Sequence, residues 1–133
     1  MKIFKFGGAS VKDANGVENL ISVLNKTGYD QILVIVSAMG KTTNALELVV
    51  KNYFSNKDEL QYSLNEVFKF HNEIVLTLFS NNKYEIFDEI NEIFNNLRGF
   101  LKRNKSPNYS FVYDQIVSQG ELLSTKIVSA YLN

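Results

Sequence analysis

The sequence predicts an α/β fold built on a parallel sheet, and three observations support this. An apolar run at residues 2–6 ends in two glycines, residues 14–27 carry apolar side chains at helical spacing, and residues 31–37 form a second, β-branched run. Two strands joined by a helix form a right-handed βαβ unit. A nearly continuous apolar run is typical of a strand covered on both faces. In such sheets the ligand crevice lies beyond the carboxyl ends of the strands.

The first strand ends in Gly7-Gly-Ala-Ser10, and Asp13 is a plausible N-cap for the helix that follows. Consecutive backbone N–H groups in such a turn form an anion-binding nest, and Lys5 adds a mobile positive charge. These residues predict phosphate binding, although their spacing matches neither a P-loop nor the dinucleotide-binding fingerprint. A tight strand-to-helix connection with a solvated lysine explains the same residues, so both interpretations stay open here.

The predicted helix over residues 14–27 ends at Gly28, a reasonable C-terminal cap. The second strand is then followed by hydroxyl and amide side chains. These are Ser37, Thr42, Thr43 and Asn44. They are able to hydrogen-bond a small polar substrate or a phosphate oxygen, or one of them caps the next helix.

Residues 45–103 have helical periodicity throughout, with polar clusters at 55–57 and 80–82 separating three helices. A last periodic stretch, residues 109–132, is interrupted at Gly120. Since two strands do not make a self-sufficient core beside about five helical segments, we expect these residues to be part of a larger α/β domain.

Two further residues have alternative explanations. Glu121, beside Gly120, is either a ligand for an ammonium group or a solvated helical carboxylate. His71 falls in step with the apolar residues of its helix, which favours a partly buried side chain with one hydrogen-bond partner. No catalytic triad or metal-ligand cluster can be assembled from the sequence.

The composition narrows the function classes. Fourteen basic and fourteen acidic side chains cancel, so the net charge favours neither nucleic acid nor an anionic membrane as partner. The absence of cysteine excludes disulfides and thiolate chemistry. There is no long apolar span and no signal-peptide layout at the N-terminus, which fits a cytoplasmic protein.

Three motifs together point to a family. In order and approximate spacing, Lys5-Phe-Gly-Gly-Ala-Ser10, Val36-Ser-Ala-Met-Gly-Lys-Thr-Thr-Asn44 and Ser118-Gln-Gly-Glu-Leu-Leu-Ser124 resemble the N-terminal motifs of aspartate kinases, in the amino-acid kinase superfamily. The resemblance implies the N-terminal part of a three-layer αβα sandwich with a mainly parallel sheet and a helical insertion. Residues 1–133 would form the N-terminal portion of the catalytic domain, without the nucleobase-binding half and the regulatory modules.

The resemblance also implies the reaction: γ-phosphoryl transfer from ATP, carrying Mg²⁺, to the side-chain carboxylate of L-aspartate, giving 4-phospho-L-aspartate. This is the first step towards lysine, threonine and methionine. Lys5 would be the catalytic residue that neutralises the transferring phosphoryl group. The other phosphate ligands would be Gly7, Gly8, Ser10 and Ser37. The aspartate ligands would be Thr43 and Glu121.

One position departs from the family pattern, since Ala9 stands where threonine is most common. Because half of the site would be missing, we expect residues 1–133 alone to be inactive. Exposed helix faces would favour a homo-oligomer. The alternative function is that of a non-catalytic truncated homologue that acts as an interaction or scaffold module.

Overall fold

The computed structural model describes residues 1–80 and 84–133, as two strands and six helices. The strands are β1 (Lys2–Phe6) and β2 (Ile32–Val36), and α1 (Ala14–Thr27) connects them. The other helices are α2 (Thr42–Ser55), α3 (Lys57–Leu78), α4 (Glu85–Arg103), α5 (Tyr109–Val117) and α6 (Gln119–Leu132). The predicted βαβ unit is therefore confirmed. The polar cluster predicted at 80–82 falls largely on Asn81 and Asn82, which lie outside the described residues.

The two strands pair in parallel, with Lys2 opposite Ile32 and Phe6 opposite Val36. One face of this sheet packs against the helical core through alternate side chains, including Phe4 and Val34. The other face is open in the described residues: Ile3 is 63% exposed, and Leu33 and Ile35 also lie at the surface. The prediction that β2 is covered on both faces was thus wrong within the described residues, because their helices cover only one face of the sheet.

The core lies between that covered sheet face and the helices. Helix α2 packs against α3 and α5, while α6 packs against α4 and β2. The periodic apolar residues of the sequence supply the buried side chains, as predicted. Among the largest that are fully buried are Leu20, Leu24, Met39, Leu46, Leu64, Ile90, Phe94, Ile116, Leu123 and Ile127.

Local signals set the ends of α1. The Asp13 carboxylate accepts a hydrogen bond from Gly16 N–H at 2.8 Å, which confirms the predicted N-cap. Gly28 has a φ of +85°, a conformation that favours glycine, and its N–H donates to Leu24 O.

The last helical stretch breaks two residues earlier than predicted, at Ser118 and not at Gly120. Helix α5 ends at Val117 and α6 begins at Gln119, so Ser118 marks the junction and Gly120 lies inside α6. The glycine therefore does not interrupt the helix. Close contacts with neighbouring side chains account for a glycine at this position. In the described residues, no helix has both the length and the apolar character needed to cross a bilayer.

Candidate functional site

The glycine turn after β1 lies directly against the loop after β2. Gly40 N–H donates to Gly8 O at 3.1 Å. A Cβ atom placed on Gly8 would lie 2.8 Å from the carbonyl oxygen of Ala38 and 3.1 Å from that of Gly40. Since real Cβ atoms do not approach backbone oxygens at 2.8 Å, only glycine lets the two loops approach this closely.

The third motif contacts the same loop from the other side. A Cβ atom on Gly120 would lie 3.2 Å from side-chain carbons of Ala38, Thr42 and Leu46. The absence of a side chain at Gly120 lets the first turn of α6 pack against the start of α2. Ala38 therefore contacts both glycines, and the three sequence motifs meet at the carboxyl end of the sheet.

The predicted phosphate ligands follow the end of β1. Lys5, the penultimate residue of that strand, is exposed and shares the open sheet face with Ile35, its partner in the register. In the turn, Ser10 N–H donates to Gly7 O at 3.0 Å, so the part of Ser10 left for a ligand is its exposed hydroxyl. Ser37 is half-buried, and its N–H donates to Phe6 O at 3.0 Å. Its hydroxyl is likewise the group left for binding.

The first turn of α2 carries the predicted aspartate ligand Thr43. Lys41 occupies the N-cap position, and no side chain caps this end of the helix within the described part of the chain. The interpretation that Ser37, Thr42, Thr43 or Asn44 caps the helix was therefore wrong. Thr43 is exposed, and the uncapped N–H groups beside it give this end of α2 a positive potential.

Thr42, next to Thr43, points into the protein. It is 2% exposed, and its Oγ1 lies 3.4 Å from Nε2 of His71 on α3. The other ring nitrogen of His71, Nδ1, lies 2.8 Å from Val67 O. Desolvation in this buried position lowers the pKa of His71, although the bond to Val67 O opposes this effect. His71 is thus a buried, neutral side chain with two partners, where the sequence predicted a partly buried one with a single partner.

Glu121 lies in the first turn of α6 and is exposed. It follows Gly120, and Gly120 contacts Thr42, the neighbour of Thr43, so the two predicted aspartate ligands extend from contacting helix ends. One turn further on, Ser124 is fully buried, and its hydroxyl has no hydrogen-bond partner in the described residues.

A groove of about 460 Å³ lies beside the glycine turn, between β1 and α1. Ala9, Ser10 and Asp13 line it, together with residues of α1, whereas Lys5 and Glu121 do not. Lys5 projects from the open sheet face and Glu121 belongs to α6, which packs on the covered face, so the two side chains do not line this groove together. Among residues 1–80 and 84–133, no three His, Asp or Glu side chains are grouped in a way that could hold a metal ion.

Comparison with known proteins agrees with this architecture. The model of the amino acid kinase family matches residues 1–133. The bifunctional aspartokinase/homoserine dehydrogenase of Buchnera aphidicola subsp. Acyrthosiphon pisum is 31% identical over 99% of this chain. The chloroplastic aspartokinase 1 of Arabidopsis thaliana is 31% identical over 98% of it. This chain spans 17% and 23% of the length of these two relatives.

Solved structures show the same fold. Escherichia coli aspartokinase III in complex with aspartate and ADP superimposes with a TM-score of 0.82 at 24% identity. The match covers 99% of this chain and 28% of the other. The aspartate kinase of Clostridium acetobutylicum gives a TM-score of 0.74 at 23% identity, over 100% of this chain and 29% of that one. The predicted fold class, an amino-acid-kinase-like α/β arrangement, is confirmed.

Proposed function

The chain belongs to the amino acid kinase family, and on this basis we propose that residues 1–133 form the N-terminal portion of an aspartate kinase catalytic domain. The reaction is transfer of the γ-phosphoryl group of ATP to the side-chain carboxylate of L-aspartate. The proposal rests on the meeting of two loops and the first turn of α6 at one sheet edge, through Gly8, Ala38 and Gly120. Relatives at 31% identity named as aspartokinases support the choice of substrate.

On the phosphate side, Lys5 is the catalytic residue. A side-chain carboxylate oxygen of aspartate attacks the γ-phosphorus, the bond from that phosphorus to the β,γ-bridging oxygen breaks, and ADP leaves. No covalent nucleophile is needed, because this reaction depends on positioning and on neutralising the charge of the phosphoryl oxygens. The Lys5 ammonium supplies positive charge where β1 ends. The turn from Gly7 to Ser10 and the hydroxyl of Ser37 hold the phosphates.

On the substrate side, Thr43 and Glu121 hold aspartate. The exposed Glu121 carboxylate pairs with the α-ammonium group of the substrate. The Thr43 hydroxyl and the positive end of α2 are suited to a carboxylate of the same molecule. An acceptor with one ammonium and two carboxylates thus meets a complementary arrangement of charges.

Magnesium would enter on the nucleotide and would supply positive charge to its phosphates. The described residues offer no cluster of three metal-ligating side chains, and their proposed role is to position the phosphates. A cytoplasmic location and a homo-oligomeric state stay predictions.

The test of Lys5 uses the complete gene product and a coupled assay of aspartate-dependent ADP release. Lys5→Met should lower kcat by about 100-fold or more, as expected for loss of a charge that stabilises the transition state. Lys2→Met is the matched control, because Lys2 is an exposed lysine of the same strand with its side chain on the opposite face. Equal kcat values for the two variants would contradict the role of Lys5.

The same assay tests residues 1–133 on their own. We propose that they do not turn over, since the family resemblance implies that the nucleobase pocket and further phosphate contacts lie outside them. Robust aspartate-dependent ADP release by this segment would overturn that statement.

The alternative is a non-catalytic interaction module. The open sheet face supports this alternative, because it exposes apolar side chains such as Ile3 and Leu33 that a partner is able to cover. Calorimetric titration of the complete gene product with L-aspartate and MgADP separates the two functions. Saturable binding of both ligands supports the kinase, and binding of neither supports the interaction module.

A further inference from the structure

A buried hydrogen bond connects α3 to the substrate end of α2. Nδ1 of His71 lies 2.8 Å from Val67 O, and a carbonyl oxygen only accepts, so Nδ1 carries the ring proton. Nε2 is then an acceptor, and the Thr42 hydroxyl at 3.4 Å is its donor. The two residues are 29 positions apart in the chain, so this bond depends on tertiary packing.

The surroundings of His71 hold the imidazole in one orientation. The rings of Phe70 and Phe94 lie 5.2 Å and 6.3 Å from the centre of the imidazole, and His71 has no exposed surface. An apolar, close-packed site of this kind restricts the ring rotamer. The acceptor nitrogen therefore stays aimed at Thr42.

Thr42 contacts two different parts of the structure. Its hydroxyl lies 3.4 Å from Nε2 of His71 on α3, and its methyl carbon lies 3.2 Å from the position that a Cβ atom on Gly120 of α6 would take. Lys41, at the N-cap, makes no side-chain cap bond, and the buried Thr42 side chain is one of the contacts that hold the first turn of α2 against α3 and α6. Thr43 follows Thr42 directly, and Glu121 follows Gly120.

We propose that His71 is a positioning residue for the substrate half of the site: through Thr42 it sets the spacing between Thr43 and Glu121. This inference rests on the proposed function, because it assigns the two ligands to one substrate. His71 itself touches no substrate in this scheme. Its effect is confined to the position of the first turn of α2 relative to α6.

Four variants of the complete gene product test the proposal. His71→Asn keeps a donor near Val67 O and removes the acceptor for Thr42, while His71→Gln places an oxygen near the position of Nε2. Thr42→Val removes the hydroxyl and keeps the shape of the side chain. The double variant, His71→Asn with Thr42→Val, completes a mutant cycle.

We expect His71→Asn and Thr42→Val each to raise the KM for aspartate by about 3- to 10-fold, the effect of one neutral hydrogen bond. The KM for ATP should change by less than about 2-fold, the double variant should resemble the single ones, and His71→Gln should restore most of the loss. Equal effects on both substrates, additive effects or no recovery with glutamine would overturn the proposal, since a merely structural role produces these results.

A readout independent of activity separates this inference from the proposed function. In the complete gene product, a nitrogen–proton correlation spectrum of the histidine rings reports the tautomer directly, and the signal that is lost in His71→Asn is that of His71. The amide signals of Thr43 and Glu121 should shift in His71→Asn and Thr42→Val and return in His71→Gln. Unmoved signals, or a ring protonated at Nε2, would overturn the positioning role. Failure of the wild type to bind aspartate would overturn the proposed function alone.

Discussion

Gly8 is the residue whose substitution tests the loop junction most directly. Its φ lies outside the left-handed region, so alanine is tolerated by the backbone and is opposed only by its contacts. Those contacts are two backbone carbonyl oxygens, at 2.8 and 3.1 Å from the new methyl carbon. Main-chain atoms cannot move aside as a flexible side chain would, so the two loops must separate.

The magnitude follows from three terms. Overpacking by one methyl group costs about 1–3 kcal/mol. Weakening the hydrogen bond from Gly40 N–H to Gly8 O costs about 1 kcal/mol. The reduced entropy of the unfolded chain returns about 0.4–1 kcal/mol. We therefore expect Gly8→Ala to lower the free energy of unfolding by about 2 kcal/mol.

The assay is urea unfolding followed by far-ultraviolet circular dichroism. With a slope of about 2 kcal/mol per molar urea, the midpoint should fall by about 1 M. Gly7→Ala is the control, because a Cβ atom there meets no described atom within 4 Å and should be neutral or slightly stabilising. If the two variants unfold within about 0.5 kcal/mol of each other, the steric reasoning for the loop junction fails.

Two further predictions concern single side chains. Asp13→Ala should destabilise the protein by about 1 kcal/mol through loss of the helix cap, while Asn15→Ala, an exposed position in the same first turn, should change it little; similar urea midpoints for both would contradict the capping role. Because burial lowers the pKa of His71 below 6.5 in the folded state, the unfolded chain takes up a proton that the folded chain does not. The free energy of unfolding should thus decrease as the pH is lowered below about 6.5, by at most about 1.4 kcal/mol per pH unit. His71→Gln should lack this component, so equal pH slopes for variant and wild type would refute it.

Features that depend on local sequence could be predicted. The cap at Asp13, the end of α1 at Gly28 and the order of the first strands and helix were correct, because each depends on residues within one or two turns. The order and spacing of the three motifs also indicated the family, because both are read directly from the sequence and do not depend on how the helices pack.

Features that depend on packing could not be predicted. A glycine pattern does not distinguish a helix break from a close approach, so Gly120 was assigned to an interruption although it lies within α6, against Thr42. The bond between Thr42 and His71 joins residues in two different helices and leaves no periodic signal. The open face of β2 was missed for a similar reason. The apolar run shows that both faces of the strand are suited to burial, but it does not show whether other residues cover them.

The junction between the first two loops is made of peptide groups, with Gly8 and Gly40 joined through their main chains. Ala9, in the middle of that turn, is exposed and takes no part in the junction. A substitution at position 9 is consequently expected to leave the architecture of the loop unchanged. In the proposed kinase, alanine in place of threonine at position 9 would change which side-chain atoms face the phosphates without changing the main-chain junction that positions the turn.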